Sequence, residues 1–166
     1  LVAHIDGGLL SDLSDRLLEL GVALVALKLG DQGLYLRTTA AASRLEAMGG
    51  CQPQPLDDWL GRELLAPCFR VDVVGTTGAG DATIAGLLTG LLRGLGCAAV
   101  MTGAVAVGAF NVEAADAVSG IRDWATVQAR IDAGWERAPV TVTLPGWRHG
   151  EASGLGRGPH DRRAWL

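Results

Sequence analysis

An acid at the end of a glycine-rich turn is the arrangement in this sequence that most directly suggests chemistry. The turn, GTTGAGD, consists of small residues between Gly75 and the carboxylate of Asp81. It follows a short β-branched run over residues 71–74, which predicts a buried strand. From Ala82 onward, apolar residues recur at helical spacing. The segment is therefore predicted to connect a strand to a helix.

Such a turn can bind an anion. The first amides of a helix have no acceptor within the helix, and together with the helix dipole they attract groups such as phosphate. Glycines allow close approach of the backbone because no Cβ intervenes. A loop that only held phosphate would not carry a negative charge, so Asp81 needs another explanation. It could cap the helix, or it could accept a proton from a hydroxyl that attacks the phosphate.

Length and composition restrict the class of protein. The chain has 166 residues, of which 49% are hydrophobic, enough for one domain with a core. A net charge of −4 argues against nucleic acid as a partner, because phosphate backbones are met by basic surfaces. Cys51, Cys68 and Cys97 are odd in number and widely spaced, which favours reduced thiols and a cytoplasmic location over disulfides or a zinc site. The apolar segment 82–110 is interrupted at Arg93, so no membrane span is expected.

Strands and helices alternate along the chain. Ser11 or Asp12 is expected to cap a helix whose apolar face includes Leu13 and Leu20. Residues 22–28 form a near-continuous apolar run, typical of a parallel strand buried on both faces. The other elements predicted are a returning strand at 34–37, a short helix at 57–65, a buried helix at 97–112, a helix capped by Asp123 and an edge strand at 140–144. The alternation predicts an α/β fold with a mainly parallel sheet.

The C-terminal residues 145–166 differ in composition from the rest. They are rich in Gly, Arg and His and show no periodicity, so a flexible tail is predicted. His149 and His160 lie there without the spacing of metal ligands, and no site role is assigned to them.

Two turns of the chain resemble the PfkB, or ribokinase-like, family of carbohydrate kinases. The string TTGAGD, followed by a helix of small and apolar residues, is similar to the GAGD signature of that family. The turn KLGDQG at residues 28–33 is similar to the (T/K)-x-G-x-x-G turn that members carry beside the nucleotide. The resemblance covers residues 13–137. It implies that residues 1–144 are the C-terminal portion of a kinase domain with a ribokinase-like three-layer α/β/α sandwich.

The resemblance also implies roles for residues in the two turns. Asp81 matches the catalytic base, which takes the proton of the substrate hydroxyl. The other matches are Gly78, Ala79 and Gly80, whose amides form the anion hole, and Lys28, Gly30 and Gly33, which form the nucleotide-side turn. No metal ligand is implied among these residues. Gly75 stands where the family usually has an Asp that helps hold a monovalent cation, which leaves potassium activation open. Val105 stands where many members have an adenine-side Asn.

The function that the resemblance implies is transfer of a phosphoryl group from ATP, with Mg²⁺, to a hydroxyl of a sugar. No membrane partner is implied, and the full-length protein could form the homodimer known in the family. Because the substrate-lid half is absent and the chain does not begin with Met, we expect a fragment that is inactive by itself. The alternatives are a nucleoside or other small-alcohol kinase, and a non-catalytic nucleotide-binding remnant. A dinucleotide-binding oxidoreductase is disfavoured, since the glycine spacing is not G-x-G-x-x-G.

Overall fold

The computed structural model describes residues 5–150 and 154–163. In chain order the elements are α1 (Gly7–Glu19), β1 (Leu24–Lys28), β2 (Leu34–Thr38), α2 (Ala42–Glu46), β3 (Glu63–Ala66), α3 (Ala79–Leu92), α4 (Cys97–Val112), α5 (Trp124–Asp132), β4 (Arg148–His149) and β5 (Gly156–Arg157). Short 3₁₀ turns lie at Gly30–Gln32, Gly49–Cys51 and Leu56–Asp58. No helix in these two ranges is long and apolar enough to cross a membrane.

The five strands form one sheet in the order β1-β2-β3-β5-β4, and every neighbouring pair is antiparallel. The α/β fold is confirmed, but the prediction of a mainly parallel sheet is wrong for the described residues. A parallel pair needs a crossover of about a dozen residues or more, usually a helix. Residues 29–33 make only a hairpin between β1 and β2. The link from β2 to β3, residues 39–62, is long enough for a crossover but contains no helix longer than the five-residue α2, and β3 pairs antiparallel with β2.

The two faces of the sheet are covered by different helices. On one face the buried side chains of Leu34, Leu36, Leu64 and Ala66 belong to the apolar core that includes α3 and α4. Helix α4 is buried along most of its length, as its composition predicted. Helix α1 contacts β1 and β2 and packs on the opposite face, where Leu10 lies with Tyr35 and Leu65. The chain therefore has three layers, with helices on both sides of the sheet.

Helix α1 presents a different face to the sheet from the one predicted. It begins earlier, with Asp6 as the cap that accepts a hydrogen bond from the Leu9 amide at 2.8 Å. Leu13 and Leu20 are exposed, and Ser11 and Ser14 point inward. The predicted apolar face is therefore wrong. The reason lies on the sheet, where a buried carboxylate and a tyrosine hydroxyl need polar partners from this helix.

That carboxylate belongs to Glu63, which is completely buried on β3. Its Oε1 accepts hydrogen bonds from Ser11 Oγ at 3.0 Å, the Tyr35 hydroxyl at 3.0 Å and Arg37 Nη1 at 3.1 Å. Its Oε2 accepts from the His160 amide at 2.8 Å. Ser14 Oγ lies 3.0 Å from the Tyr35 hydroxyl. We call this set of residues the Glu63 cluster, and it joins α1, two strands and the C-terminal segment.

The third strand lies earlier than predicted. Residues 57–65 were predicted to be a helix, but they form a 3₁₀ turn followed by β3, because Gly61 adopts a positive φ of 60° and Leu64 and Leu65 pack on opposite faces. The predicted strand at 71–74 does not form, and Val73 and Val74 are 63% and 64% exposed. The amides of Val74 and Gly75 donate instead to the Val112 carbonyl at the end of α4.

The C-terminal part combines confirmed and corrected predictions. Asp123 caps α5 as predicted, accepting from the Thr126 amide at 2.9 Å. The edge strand predicted at 140–144 is not formed. The amides of Thr141 and Val142 donate to Gln32 Oε1, and Thr143 forms only an isolated parallel bridge with Asp6. Within the predicted tail, β4 and β5 pair with the sheet, and Asp161 pairs with Arg62 at 3.1 Å.

Candidate active site

A cavity of about 990 Å³ opens between the turn after β1 and the N-terminal end of α3. Its other walls come from residues 68–73, from the second half of α4 and from Ala138 and Pro139. Five of the residues proposed from the sequence line it: Lys28, Gly30, Gly33, Ala79 and Gly80. The structure thus brings together two turns that are about 50 residues apart in the chain. Gly78 and Asp81 flank the lining residues Ala79 and Gly80 in the sequence, but they do not themselves line the cavity.

The N-terminal end of α3 has the geometry of an anion-binding turn. Gly78 precedes the helix with a positive φ of 77°, and a Cβ there would lie 2.9 Å from the Ala117 backbone. The Ala79 amide donates to the Thr76 carbonyl at 3.3 Å. In the described part of the chain, the amides of Gly78, Gly80 and Asp81 have no acceptor. These donors, at the positive end of a 14-residue helix, can bind a phosphate group.

Lys28 and Gly80 are in direct contact across the cavity. An ideal Cβ placed on Gly80 would lie 2.5 Å from Lys28 Nζ and 3.2 Å from its Cε, so a side chain at position 80 would displace the end of the lysine. Lys28 is the last residue of β1, which directs its side chain to the helix end. Among the ranges the structure describes, no carboxylate lies within ion-pair distance of its ammonium. The contact places a positive charge beside the unpartnered amides.

The turn that follows β1 is held in place by its glycines. Gly30 and Gly33 have positive φ values of 61° and 106°, a region that side chains rarely adopt. A Cβ on Gly33 would also clash with the carbonyl of Ala66 at the end of β3. The Leu29 amide donates to the Gly33 carbonyl at 2.8 Å. The turn therefore keeps one shape, close against the sheet and facing the cavity.

Asp81 is the third residue of α3 and is exposed to solvent. It does not cap the helix, because Gly78 occupies that position. Its carboxylate has no hydrogen-bond or ion-pair partner among the described residues. Of the two roles considered from the sequence, capping is therefore excluded. The carboxylate is left free to accept a proton beside the turn.

The opposite wall of the cavity contains residues that the sequence did not indicate. Arg130 forms two hydrogen bonds to Glu113, at 2.6 and 2.8 Å, and its guanidinium lies 3.7 Å from the Trp135 ring centroid. No local pattern predicts this pair, because its partners are 17 residues apart. Val105, considered from the sequence as an adenine-side position, does line the cavity, beside Ala109. The wall is therefore apolar at Val105 and Ala109 and charged at the Arg130–Glu113 pair.

Two further residues near this wall have shifted pKa values. Burial raises the pKa of the Cys68 thiol above its usual value, so the thiol stays protonated and is a poor nucleophile. Burial lowers the pKa of Arg137 to about 10. The Arg137 guanidinium nevertheless donates to the Pro67 carbonyl at 2.8 Å and to Thr102 Oγ1 at 3.0 Å. It thereby joins the segment after β3 to α4 and helps shape the cavity.

The described residues do not form a cage for a divalent metal ion. No group of three or more His, Cys, Asp and Glu side chains converges in those parts of the chain. Mg²⁺ commonly binds through substrate phosphates and water with one or two carboxylates. A magnesium ion at this cavity would therefore depend mainly on the bound nucleotide, and we derive no step through it.

A sequence model described as "pfkB family carbohydrate kinase" matches residues 9–124. The chain therefore belongs to the pfkB family of carbohydrate kinases. It is 33% identical over 110 residues to 2-dehydro-3-deoxygluconokinase of Bacillus subtilis (strain 168), a match that covers 66% of this chain and 28% of that protein.

Two solved kinase structures are similar in fold to this chain. The fold is similar to that of a candidate sugar kinase from Clostridium perfringens, with a TM-score of 0.61 and 21% identity over 81% of this chain and 36% of that one. It is also similar to ribokinase from Thermotoga maritima, with a TM-score of 0.53 and 28% identity over 71% of this chain and 33% of that one. The chain spans about a third of the length of these pfkB-family relatives.

Proposed function

We propose that this chain carries the nucleotide and phosphoryl-transfer half of an ATP-dependent sugar kinase. The observation that supports the proposal best is the meeting of the two turns. The Lys28 ammonium contacts Gly80 at the start of α3, and Asp81 follows in the same helical turn. A cation, free amides and an unpartnered carboxylate are the groups that phosphoryl transfer to an alcohol requires.

In the proposed reaction the Asp81 carboxylate accepts the proton of the substrate hydroxyl. The hydroxyl oxygen forms a bond to the γ-phosphorus of ATP, and the bond from that phosphorus to the β–γ bridging oxygen breaks. ADP leaves with the bond's electron pair. The amides of Gly78 and Gly80 donate to the oxygens of the phosphoryl group as their negative charge is redistributed, whereas the amide of Ala79, the third residue expected in the anion hole, is bonded to the Thr76 carbonyl. Catalysis by these residues consists of positioning, charge stabilisation and one proton transfer.

The nucleotide is proposed to lie along the cavity. The 28–33 turn approaches its phosphates, and the apolar wall at Val105 and Ala109 packs against the adenine. ATP is thus assigned as the phosphoryl donor, with Mg²⁺ bound to its phosphates. The three free thiols fit a cytoplasmic location, where ATP is available.

A sugar or sugar acid is proposed as the acceptor. The similarity to 2-dehydro-3-deoxygluconokinase makes 2-dehydro-3-deoxygluconate the first compound to test. We further propose that residues 1–144 form the C-terminal portion of the kinase domain, since the chain spans about a third of its relatives. The 166-residue chain by itself is therefore expected to show negligible sugar phosphorylation.

The test is an ATP-consumption screen of the protein at its full natural length. The panel contains 2-dehydro-3-deoxygluconate, neutral hexoses and pentoses, and nucleosides, with the Asp81→Asn variant as the control. We expect turnover with one sugar or sugar acid and none in the variant. Turnover only with a nucleoside would change the substrate class, and ATP binding without transfer to any compound would indicate a non-catalytic nucleotide-binding protein.

A further inference from the structure

The use of basic residues in this chain is uneven. Lys28 is the only lysine among the 14 basic residues of the sequence, and all the others are arginine. That single ammonium lies at the start of α3, in the candidate site. Lysine and arginine differ physically, because an ammonium is a compact point charge and a guanidinium is a planar fork. The position of the only lysine therefore suggests a need for the compact ion.

The contact with Gly80 explains that need. An ideal Cβ on Gly80 would lie 3.3 Å from Lys28 Cδ, 3.2 Å from Cε and 2.5 Å from Nζ, so the end of the side chain runs along the first turn of the helix. The forked head of an arginine would extend past this turn. Arg37, by comparison, pairs with both Asp15 and Glu63, whereas no described carboxylate pairs with Lys28. The charge of Lys28 is thus available to a ligand.

At the other end of the 75–81 turn, the backbone at Gly75 has no room for a side chain. The resemblance to the family implies a monovalent cation beside the first residue of the turn, held in part by an Asp, and here that residue is Gly75. An ideal Cβ on Gly75 would lie 2.8 Å from the Ala114 carbonyl oxygen and 3.0 Å from that of Ala115. Both contacts are with backbone, which cannot yield as a flexible side chain can. A carboxylate at this position does not fit.

Near the end of α4, which precedes the loop that packs on Gly75, one buried side-chain acceptor is unpartnered among the described residues. Asn111 Nδ2 donates to the Ala117 carbonyl at 2.8 Å, so that carbonyl is already used. Asn111 Oδ1 is buried without a hydrogen-bond partner in the described residues. Without a carboxylate at position 75, this amide oxygen and the neutral carbonyls of Ala114 and Ala115 bring no negative charge to a cation, but they mark where one would have to be sought.

We infer that Lys28 is a catalytic residue that supplies the fixed positive charge beside the anion hole, and that phosphoryl transfer by this protein does not use a monovalent metal ion. The inference rests on the proposed function. Lys28 Nζ donates hydrogen bonds to oxygens of the transferring phosphoryl group, opposite the amides of Gly78 and Gly80. Because the ammonium is covalently attached, the charge is present in every molecule whatever salt surrounds it.

The first experiment compares salts with the protein at full natural length. Turnover is measured in the chlorides of potassium, sodium and tetramethylammonium at equal ionic strength. We expect kcat values within twofold of one another. A tenfold or greater advantage of potassium overturns the inference.

Cation binding is also measured directly, so that the inference is decided even if no acceptor sugar is found. Crystals are grown in rubidium chloride, and anomalous density is examined between Gly75 and the 114–117 loop and at Asn111 Oδ1. A rubidium peak coordinated there overturns the inference, and its absence supports it. Failure to phosphorylate any compound would instead refute the proposed function.

The second experiment changes Lys28. Lys28→Met is expected to lower kcat about 100-fold or more in every salt, and Lys28→Arg is expected to restore little of it. The melting temperatures of both variants should match the parent, because the Lys28 side chain is exposed and no described carboxylate pairs with it. Dimethylation with ¹³C-formaldehyde gives this chain one lysine NMR signal, and MgATP should shift it. Full turnover in Lys28→Met, or a lysine signal unmoved at saturating MgATP, contradicts the assignment.

Discussion

Two carboxylates in this chain have opposite surroundings. Glu63 is completely buried, and both its oxygens accept hydrogen bonds from α1, β2 and the C-terminal segment. Asp81 is exposed at the start of α3 and has no partner among the described residues. A buried carboxylate with its acceptors filled contributes to folding, and removing it leaves its partners unsatisfied. An exposed carboxylate beside unpartnered amides contributes little to folding and is free to react.

From the contrast between the buried Glu63 and the exposed Asp81, we predict that activity and stability respond to different substitutions. Substitution at Asp81 should change turnover without changing the free energy of unfolding. Substitution in the Glu63 cluster should change the free energy of unfolding without changing the chemistry in molecules that remain folded. The predictions below test that separation, from the largest expected effect to the smallest.

Asp81→Asn should lower kcat by about 10³–10⁴-fold in the full-length protein, because the amide cannot accept the hydroxyl proton. Its melting temperature should equal that of the parent. Steady-state kinetics and thermal unfolding measure the two quantities. Asp12→Asn, which changes an exposed carboxylate on α1, is the matched control and should alter neither. Parental turnover in Asp81→Asn would contradict the assignment of the base.

Glu63→Ala should lower the free energy of unfolding by about 3 kcal/mol, because it leaves the Arg37 charge buried and the Tyr35 hydroxyl without its acceptor. Urea unfolding measures the change. The control is Glu136→Ala, which removes an exposed ion pair with Arg70 of 3.1 Å and should cost less than about 1 kcal/mol. Equal decreases in the free energy of unfolding for the two substitutions would show that burial of the Glu63 cluster does not determine its contribution to stability.

Tyr35 provides a pH test, since it is the only tyrosine in the chain. Burial and the nearby Glu63 charge raise the pKa of Tyr35 to about 12. The unfolded chain loses this proton near pH 10, and the folded chain keeps it to higher pH. The folded state therefore binds more protons, and stability falls as pH rises from 10 towards 12, by roughly 2 kcal/mol. Tyrosinate absorbance of the folded and urea-unfolded chain should give midpoints near 12 and 10. A folded midpoint near 10 would refute the prediction.

Ser14→Ala should have the smallest effect, about 1 kcal/mol, because Tyr35 retains its hydrogen bond to Glu63. The hydrogen bond between Ser14 and Tyr35 lowers the pKa of Tyr35, so its loss should move the tyrosinate midpoint further upward. A double-mutant cycle with Tyr35→Phe isolates the pair. An additive result in that cycle would show that the two hydroxyls do not interact.

The sequence predicted the elements with strong local signals. The hairpin of β1 and β2, helices α3 and α4, and the Asp123 cap of α5 follow from unbroken apolar patterns and from residues that act within one turn. The two glycine turns carried enough local information to indicate the family, which the comparison confirms. The roles of Asp81, Lys28 and the glycines stay predictions until variants are measured.

The predictions were wrong where contacts with distant parts of the chain determine the local structure. Residues 63–66 and 71–74 are both short apolar runs, and only pairing with β2 and β5 selects the first as the strand. The face of α1 that packs on the sheet is determined by its hydrogen bond to Glu63, more than 40 residues later. The leucine spacing of the helix therefore predicted the wrong face. The Arg130–Glu113 pair at the cavity likewise depends on tertiary contact. The pattern of apolar residues within a short stretch of sequence carries no information about these long-range contacts.

The position of β3 has a consequence for synthesis of the chain. This strand pairs with β2 on one side and with β5, at residues 156–157, on the other. While the ribosome is still making the intervening residues, β3 has an open hydrogen-bonding edge and Glu63 lacks its His160 partner. An open edge can pair with another nascent chain. The interval between translation of β3 and of β5 is therefore a period in which this edge is open to misassembly.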